Sequence, residues 1–442
     1  MTFTTAAGFE KPAIDPGRSQ IPNGVQDRFL VEAVRRRQAE AVLRECFIRW
    51  GYQEVIPPTF EYYENMSVGA SERLRQAMYR FIDRKGRTLS LRSDFTPQIA
   101  RMAATKLYDR PMPLRCFYVG SLFRYEEPQA GRKREFTQAG VELIGANTAE
   151  ADAEVVAQAI AALEALNLEG FQINLGQMAF FHALTRDLAA GALDAVREAI
   201  DHKNSARLEA GLDQAGLDGP RRELLRCLPE LVGGPEVLEE AQVLAKDLGS
   251  RGALASLERL AQVYGLLQAY GSADCVIIDL GEVRGMDYYT GITFRGVAPS
   301  LGWPLISGGR YDDLIAGFGR SMAAVGFGLG IERALLVQPH QDSLSASPHL
   351  SVQGCHHAAC LDMVQKLRKL GCRVAVDVRG MGPAELAEHA RQSGVSRMLR
   401  CSGEGWLLID EGGERALTSD ELLQEAGNWP LPYGDELKGR VL

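Results

Sequence analysis

Apolar positions along the chain recur at two periods, and the change from one to the other lays out the elements. Over residues 25–50, Phe29, Val31, Ala33, Val34, Ala39, Val42, Leu43 and Cys46 form a broad helical stripe that Gly51 ends. Residues 51–58 read as extended and closed by Pro57 and Pro58. Two short strands, 80–83 and 88–92, are turned by Arg84-Lys85-Gly86. A helix with proline in its first turn follows at 97–106, and an apolar strand at 114–120. Asn147 or Thr148 caps a helix to about residue 166, with Val155, Val156, Ala159, Ile160 and Leu163 buried. Strands are expected at 171–175, 275–280 and 291–297, and a helix at 331–337 after the glycine-rich run 308–330.

Two regions break this mixture. From about 185 to 270 Ala, Leu, Glu and Arg dominate, which predicts an all-helical insertion broken near 216–220 and at Gly233-Gly234-Pro235. Residues 338–349 are polar with two prolines and read as a linker. Beyond it, strands at 350–352, 372–378 and 397–401 alternate with helices at 361–370 and 383–393, the order of a small three-layer α/β domain. The whole is α+β: a leader at 1–23, a core at 24–337, the linker, and a domain at 350–442.

The most informative stretch is 123–146. Pro128-Gln129-Ala130-Gly131 is a loop between two extended segments. In the second segment Ala139, Val141 and Leu143 share one face. Arg134, Gln138 and Glu142 share the other, with Gly140 between the last two. A cation, an amide and a carboxylate beside a missing side chain suit the floor of a small polar site. A solvated strand face is the alternative.

Composition narrows the class. At 442 residues the chain has room for two or three domains. A net charge of -8 argues against a strongly electrostatic nucleic-acid binder. No apolar run of about 18 residues predicts a membrane span, and the first twenty residues lack the apolar core of a signal peptide. Eight scattered cysteines fit reduced thiols in a cytoplasmic protein.

Several clusters could carry chemistry. In Arg92-Ser93-Asp94-Phe95-Thr96, Asp94 and Thr96 can cap a helix or hold an ammonium group. Arg124 faces Arg132 and Arg134 across the loop, a convergence suited to phosphate or carboxylate, or to surface pairing with Glu126, Glu127 and Glu135. Tyr288 and Tyr289 follow an Arg284-Gly285 turn and could line a pocket for a ring or brace a hairpin. The run 308–330 lacks the Gly-Lys-Ser/Thr ending of a P-loop, and its alternating glycines suggest a strand closely approached by something flat. Cys355, His356, His357 and Cys360 lack a second ligand pair nearby, so no metal is expected.

Taken in order, these clusters resemble the class II aminoacyl-tRNA synthetases, specifically the histidyl branch. Residues 51–58 look like motif 1, Phe123-Arg124-Tyr125-Glu126 through Phe136 like motif 2, and Gly328-Leu329-Gly330-Ile331-Glu332-Arg333 like motif 3. Arg-Gly-Met-Asp-Tyr-Tyr at 284–289 and Gly-Gly-Arg-Tyr-Asp at 308–312 are similar to histidyl signatures. The resemblance implies an antiparallel sheet flanked by helices. It also implies a histidine pocket in which Asp94 and Thr96 hold the ammonium, Gln138 and Glu142 line the floor, Tyr288 and Tyr289 close over the ring, and Arg284 assists. Arg124 and Arg333 match the nucleotide-binding arginines of the family.

Other details look more like the family's second branch, the regulatory subunits of ATP phosphoribosyltransferase. Asp94-Phe95-Thr96-Pro97-Gln98-Ile99-Ala100-Arg101 is similar to that branch's Asp-Leu-Thr-Pro-Gln-Ile-Ala-Arg. Arg295 stands where synthetases usually place an acid, and Asp313 where they usually have glycine. The tail from residue 346 has more acids than bases, against what an anticodon grip needs. It reads as a degenerate anticodon-binding-like domain. The resemblance thus implies a non-catalytic regulatory subunit in the first step of histidine biosynthesis. Its expected partners are a short-form catalytic subunit and a second copy, with histidine as effector, no cofactor and no tRNA; Arg124 and Arg333 become vestigial. An active histidyl-tRNA synthetase is the alternative.

Overall fold

The computed structural model describes residues 20–127, 133–283, 288–339, 347–355, 357–401 and 405–429. The chain divides into two compact units. One contains residues 39–339 and the stretch before 28; the other contains 28–38 and the chain from 340 onward.

The first helix spans Leu30–Arg49, five residues shorter at its start than its stripe predicts. Gly24 explains the delay: its carbonyl accepts from the Arg134 N–H at 2.7 Å, which draws residues 24–25 away from the helix. Ala39, Leu43, Cys46 and Phe47 are buried, whereas Phe29, Leu30 and Val31 are exposed, so only the second half of the stripe reaches the core of the larger unit.

The strands of this unit are, in chain order, β1 (Gln53–Glu54), β2 (Phe60–Tyr62), β3 (Arg80–Ile82), β4 (Thr88–Leu91), β5 (Leu114–Phe123), β6 (Glu135–Ile144), β7 (Gln172–Gln177), β8 (Val232–Gly233), β9 (Val276–Asp279), β10 (Ile292–Val297), β11 (Ile306–Arg310) and β12 (Ala324–Gly330). Nine of them form one sheet in the order β1-β5-β6-β12-β11-β10-β7-β9-β8, and β2-β4-β3 form a small second one. The centre of the large sheet, β5 through β7, is antiparallel throughout; β1 on β5 and β7 on β9 are parallel pairs.

Alternation decides what each face does. Val141, Phe327, Phe117, Phe294 and Leu175 project to one side and are fully buried. The helices Ala149–Ala165 and Arg251–Ala269 pack together, the first against β12 and β6 and the second against β7. Thr148 caps the first helix, its side chain accepting from the Ala151 N–H. Each large side chain so buried contributes roughly 1.5–3 kcal/mol. The opposite face, carrying Gln138, Glu142, Gly326, Gly328, Ser307 and Gly309, holds the site described below.

The predicted insertion is helical from Ala190 to Ala269, with β8 adding an edge strand where Gly233-Gly234-Pro235 predicts only a break. In the smaller unit β13 (Leu350–Val352), β14 (Val374–Val376) and β15 (Met398–Cys401) are parallel, as the alternation of strands and helices requires. β16 (Trp406–Asp410) and β17 (Gly413–Leu417) extend that sheet antiparallel, in the order β14-β13-β15-β16-β17. A last helix, Ser419–Ala426, starts on a capping box between Thr418 and Glu421.

Candidate functional site

Strand register builds the floor. Glu142 lies opposite Gly326, and Gln138 opposite Gly330, with Gly328 opposite Gly140. A Cβ at Gly326 would run into the Glu142 carboxylate, and one at Gly328 into the Gln138 amide. The flat object approaching this glycine strand is therefore the pair of long polar side chains lying across it. Gly140 plays the same part for Tyr118, whose hydroxyl fills the space a Cβ would take and lies 3.3 Å from the Gln138 Oε1.

The cavity above this floor has a volume of about 200 Å³. Asp94, Thr96, Arg124, Gln138, Glu142, Tyr288, Tyr289 and Arg333, eight of the residues singled out in the sequence, all line it. Arg284 lies outside the described residues, as do Arg132 and the loop 128–131. Arg134 does not join the floor: it precedes β6, donates to the Glu126 carbonyl, and lies over the Tyr125 ring. Phe136, at the alternating position within the strand, lines the cavity instead.

At the deep end the Glu142 carboxylate accepts from the Thr96 hydroxyl at 2.8 Å and from the Tyr311 hydroxyl. Asp94 accepts from the Thr96 N–H and from the Tyr288 hydroxyl, both at 3.3 Å. Asp94 thus supports the helix start with one oxygen and faces the cavity with the other. The Tyr288 ring sits edge-on to both Tyr289 and Tyr311, with centroids 5.2 and 5.7 Å away. Phe95 stacks on Tyr118 at 4.2 Å from behind.

Burial dominates the electrostatics. It pushes the Glu142 carboxyl from its ordinary 4.5 up to about 8; the Tyr311 and Thr96 hydroxyls pull the other way and Asp94 adds to the rise. Burial also drives the phenols of Tyr118, Tyr288 and Tyr311 well above their ordinary range, so they remain donors at neutral pH. The deep end therefore combines two carboxyl groups, an amide and a ring of phenols. It suits a compact molecule with a flat face, an ammonium group and ring N–H donors.

The mouth is different. Arg124 donates to the Ser93 carbonyl at 2.8 Å and lies over the Phe136 ring at 5.3 Å. Arg333 donates to the Pro304 carbonyl at 2.8 Å, and Glu332 accepts from both the N–H and the hydroxyl of Thr137. Arg295 turns inward to Glu282, donating from Nε at 2.7 Å; burial raises that carboxyl to about 7 even with the guanidinium beside it. Asp312 takes the Arg310 guanidinium and the Ala324 N–H, and Asp313 is exposed. Tyr118, Tyr311 and Phe136 are among the lining residues that sequence reasoning left out of the site. The Gly-Gly-Arg-Tyr run held a signal for Tyr311 and alternation from Gln138 one for Phe136; Tyr118 needed the register.

Among the described residues, no group of three or more His, Cys, Asp or Glu side chains could hold a metal ion. No helix among them is long and apolar enough to cross a membrane.

A family model described as histidyl-tRNA synthetase matches residues 24–334. The ATP phosphoribosyltransferase regulatory subunit of Moorella thermoacetica is 43% identical over 85% of this chain and 97% of its own. That of Acetivibrio thermocellus is 35% identical over 91% and 98%. Both alignments cover more of the chain than residues 1–334 can supply, so they reach into the C-terminal domain. A crystal structure described as an ATP phosphoribosyltransferase regulatory subunit/histidyl-tRNA synthetase from Bacillus halodurans superposes with a TM-score of 0.78. It is 31% identical and covers 88% of this chain and 99% of its own. The histidyl-tRNA synthetase of Nostoc shares the fold, with a TM-score of 0.76 at 21% identity over 92% of this chain and 98% of its own.

Proposed function

We propose the function from one premise: this chain belongs to the histidyl-tRNA synthetase family, on its branch of ATP phosphoribosyltransferase regulatory subunits. It serves as a non-catalytic regulatory subunit of ATP phosphoribosyltransferase, in the first step of histidine biosynthesis. The observation that carries this reading is the 43% identity spanning 97% of a regulatory subunit's length. Its partner is the catalytic subunit of that enzyme, in the short form that depends on a separate regulator.

Histidine is the effector, and the cavity on the glycine-floored face is where it binds. Asp94 and Tyr288 meet the ammonium group, Glu142 and Gln138 meet the imidazole, and the Tyr288 and Tyr289 rings cover its faces. Arg124 and Arg333 are remnants of a nucleotide site. Feedback requires that histidine bind one assembly of the complex more tightly than the other. Two copies of the chain pair; the exposed side chains of Ile56, Phe60 and Phe81 favour such an apolar contact.

The test is reconstitution. Added to the short catalytic subunit, the chain raises the rate of phosphoribosyl transfer to ATP manyfold, and histidine lowers it again. Alone, the chain shows neither histidine-dependent ATP–pyrophosphate exchange nor charging of histidine tRNA. Robust charging would overturn the reading in favour of a synthetase.

A further inference from the structure

We propose that residues 22–26 strap the mouth of the cavity, with Gly24 and Gln26 as positioning residues for Glu126 and Lys133, and that this strap sets how tightly the cavity holds its ligand. The effect on the ligand rests on histidine occupying the cavity; the strap's hold on the mouth does not.

Local chemistry turns the chain at this point. The apolar stripe predicts a helix from residue 25, yet the helix starts at Leu30. Gly24 has a φ of +83°, in the left-handed region that glycine enters freely, and the Pro22 carbonyl accepts from the Val25 N–H at 3.4 Å. Gly24 and Val25 are half-buried, whereas Pro22, Asn23, Gln26 and Asp27 beside them are exposed. The turn presses one peptide against the protein and leaves its flanks in water.

That peptide meets the two chain segments from which the mouth is built. The Gly24 carbonyl accepts from the Arg134 N–H at 2.7 Å and from the Glu135 N–H at 3.4 Å. The Arg134 carbonyl in turn accepts from the Arg124 N–H at 2.9 Å, so strap, second segment and first segment lie side by side. The Arg134 side chain is clasped between them. A Cβ at Gly24 would lie 2.6 Å from its Cγ, its guanidinium lies 4.1 Å from the Tyr125 ring centroid, and its Nε donates to the Glu126 carbonyl at 3.1 Å. Tyr125 is itself fixed, its N–H donating to the Ala77 carbonyl at 2.7 Å. Two residues along the strap, the Gln26 amide oxygen accepts from the Lys133 ammonium.

The residues so held have a second role. Arg124, Glu126 and Lys133 all line the cavity. A terminus that merely packed would touch side chains with no part in the site; this one fixes an anion and a cation at its entrance. Long charged side chains held in place beforehand need no ordering when a ligand arrives, which is the general source of affinity from preorganisation.

The experiment uses the full chain and two substitutions. Gly24→Ala places a Cβ against Arg134 at a φ that alanine resists. Hydrogen exchange followed by mass spectrometry should then be about tenfold faster over 122–127 and 133–137 and unchanged over 251–269. Calorimetry should show histidine binding about tenfold weaker. Gln26→Ala alters an exposed side chain and leaves the Gly24 hydrogen bonds alone. It should leave exchange over 133–137 unchanged, speed acetylation of Lys133 by acetic anhydride about threefold, and weaken histidine about threefold. Unchanged Lys133 acetylation in Gln26→Ala would overturn the strap even where Gly24→Ala fails to fold. So would native exchange over 133–137 in a folded Gly24→Ala chain. Faster exchange and acetylation with unaltered histidine affinity would overturn the link to the ligand. An unsubstituted chain that binds no histidine would instead overturn the histidine reading of the cavity, and exchange and acetylation would still decide the strap.

Discussion

Replacing Glu142 with glutamine removes a titrating group from the floor of the cavity and keeps its shape. In the folded chain burial raises the carboxyl to about 8, against 4.5 ordinarily. Between those values the folded state holds a proton that the unfolded state has released. The side chain therefore costs nothing below about pH 4.5, and its cost grows as pH rises toward 8. At about 1.4 kcal/mol per unit the full penalty is roughly 5 kcal/mol, of which about 3 is present at pH 7 and under about 1 at pH 5. Glutamine bears none of it. The Thr96 hydroxyl can still donate to the amide oxygen, and the Tyr311 hydroxyl can turn to accept from the amide. Urea unfolding followed by circular dichroism at pH 5, 6, 7 and 8 measures the difference between the two proteins. The Glu282 carboxyl, raised to about 7, titrates in both chains and cancels in that difference. Glu142→Gln should nearly match the native chain at pH 5 and exceed it by about 3 kcal/mol at pH 7. A difference that stays constant from pH 5 to 8 would refute the raised carboxyl and the dry cavity floor that causes it.

Two further substitutions test the framework and the floor. Asp152 is 1% exposed, and Arg310 and Arg259 donate to its two oxygens; Arg310→Met leaves the carboxylate with one partner and should cost about 3–5 kcal/mol in thermal unfolding, with part restored by adding Asp152→Asn. Gly328→Ala displaces the flexible Gln138 amide rather than backbone, so stability should fall by only about 1 kcal/mol, while calorimetry should show histidine binding weakened about tenfold; unchanged affinity would remove Gln138 from the pocket.

Periodicity made most elements legible, and what it missed has identifiable causes. The helix over Ile331–Val337 and the strand Leu350–Val352 match their predicted limits because proline, glycine or a change of period marks both ends. The first helix starts late because hydrogen bonds at Gly24, made to a strand more than a hundred residues away, compete with it. β8 has two residues and exists only because β9 offers it an edge, a context no local pattern carries. β16 and β17 were within reach: Trp406-Leu407-Leu408-Ile409 is an apolar run, Gly412-Gly413 a turn, and Thr418 with Glu421 a capping box. They extend the sheet antiparallel beyond the alternation of strands and helices read over 350–401, and the helix Ser419–Ala426 follows them.

The site was legible as ingredients and illegible as an assembly. Alternation on β6 puts Gln138 and Glu142 on one face, and alternation on β12 puts Gly326, Gly328 and Gly330 on one face. Neither pattern states that the two faces coincide. If β12 slid by one residue, Val325 or Phe327 would stand opposite Glu142, and a buried carboxylate would meet a large side chain where it now meets open space. The glycines are thus a condition for the carboxylate's position, and the carboxylate is the reason those strand positions tolerate no Cβ. The same logic explains Tyr118: its strand carries no polar pattern, and only pairing with Gly140 brings its hydroxyl to the Gln138 amide. Arg134 is the converse case. It has the parity of a floor residue, and its carbonyl still accepts from the Arg124 N–H, but its N–H goes to the Gly24 carbonyl and its side chain is held by the Glu126 carbonyl and the Tyr125 ring. Parity therefore predicts facing within the strand, while at its end the partners a long side chain finds decide where it lies.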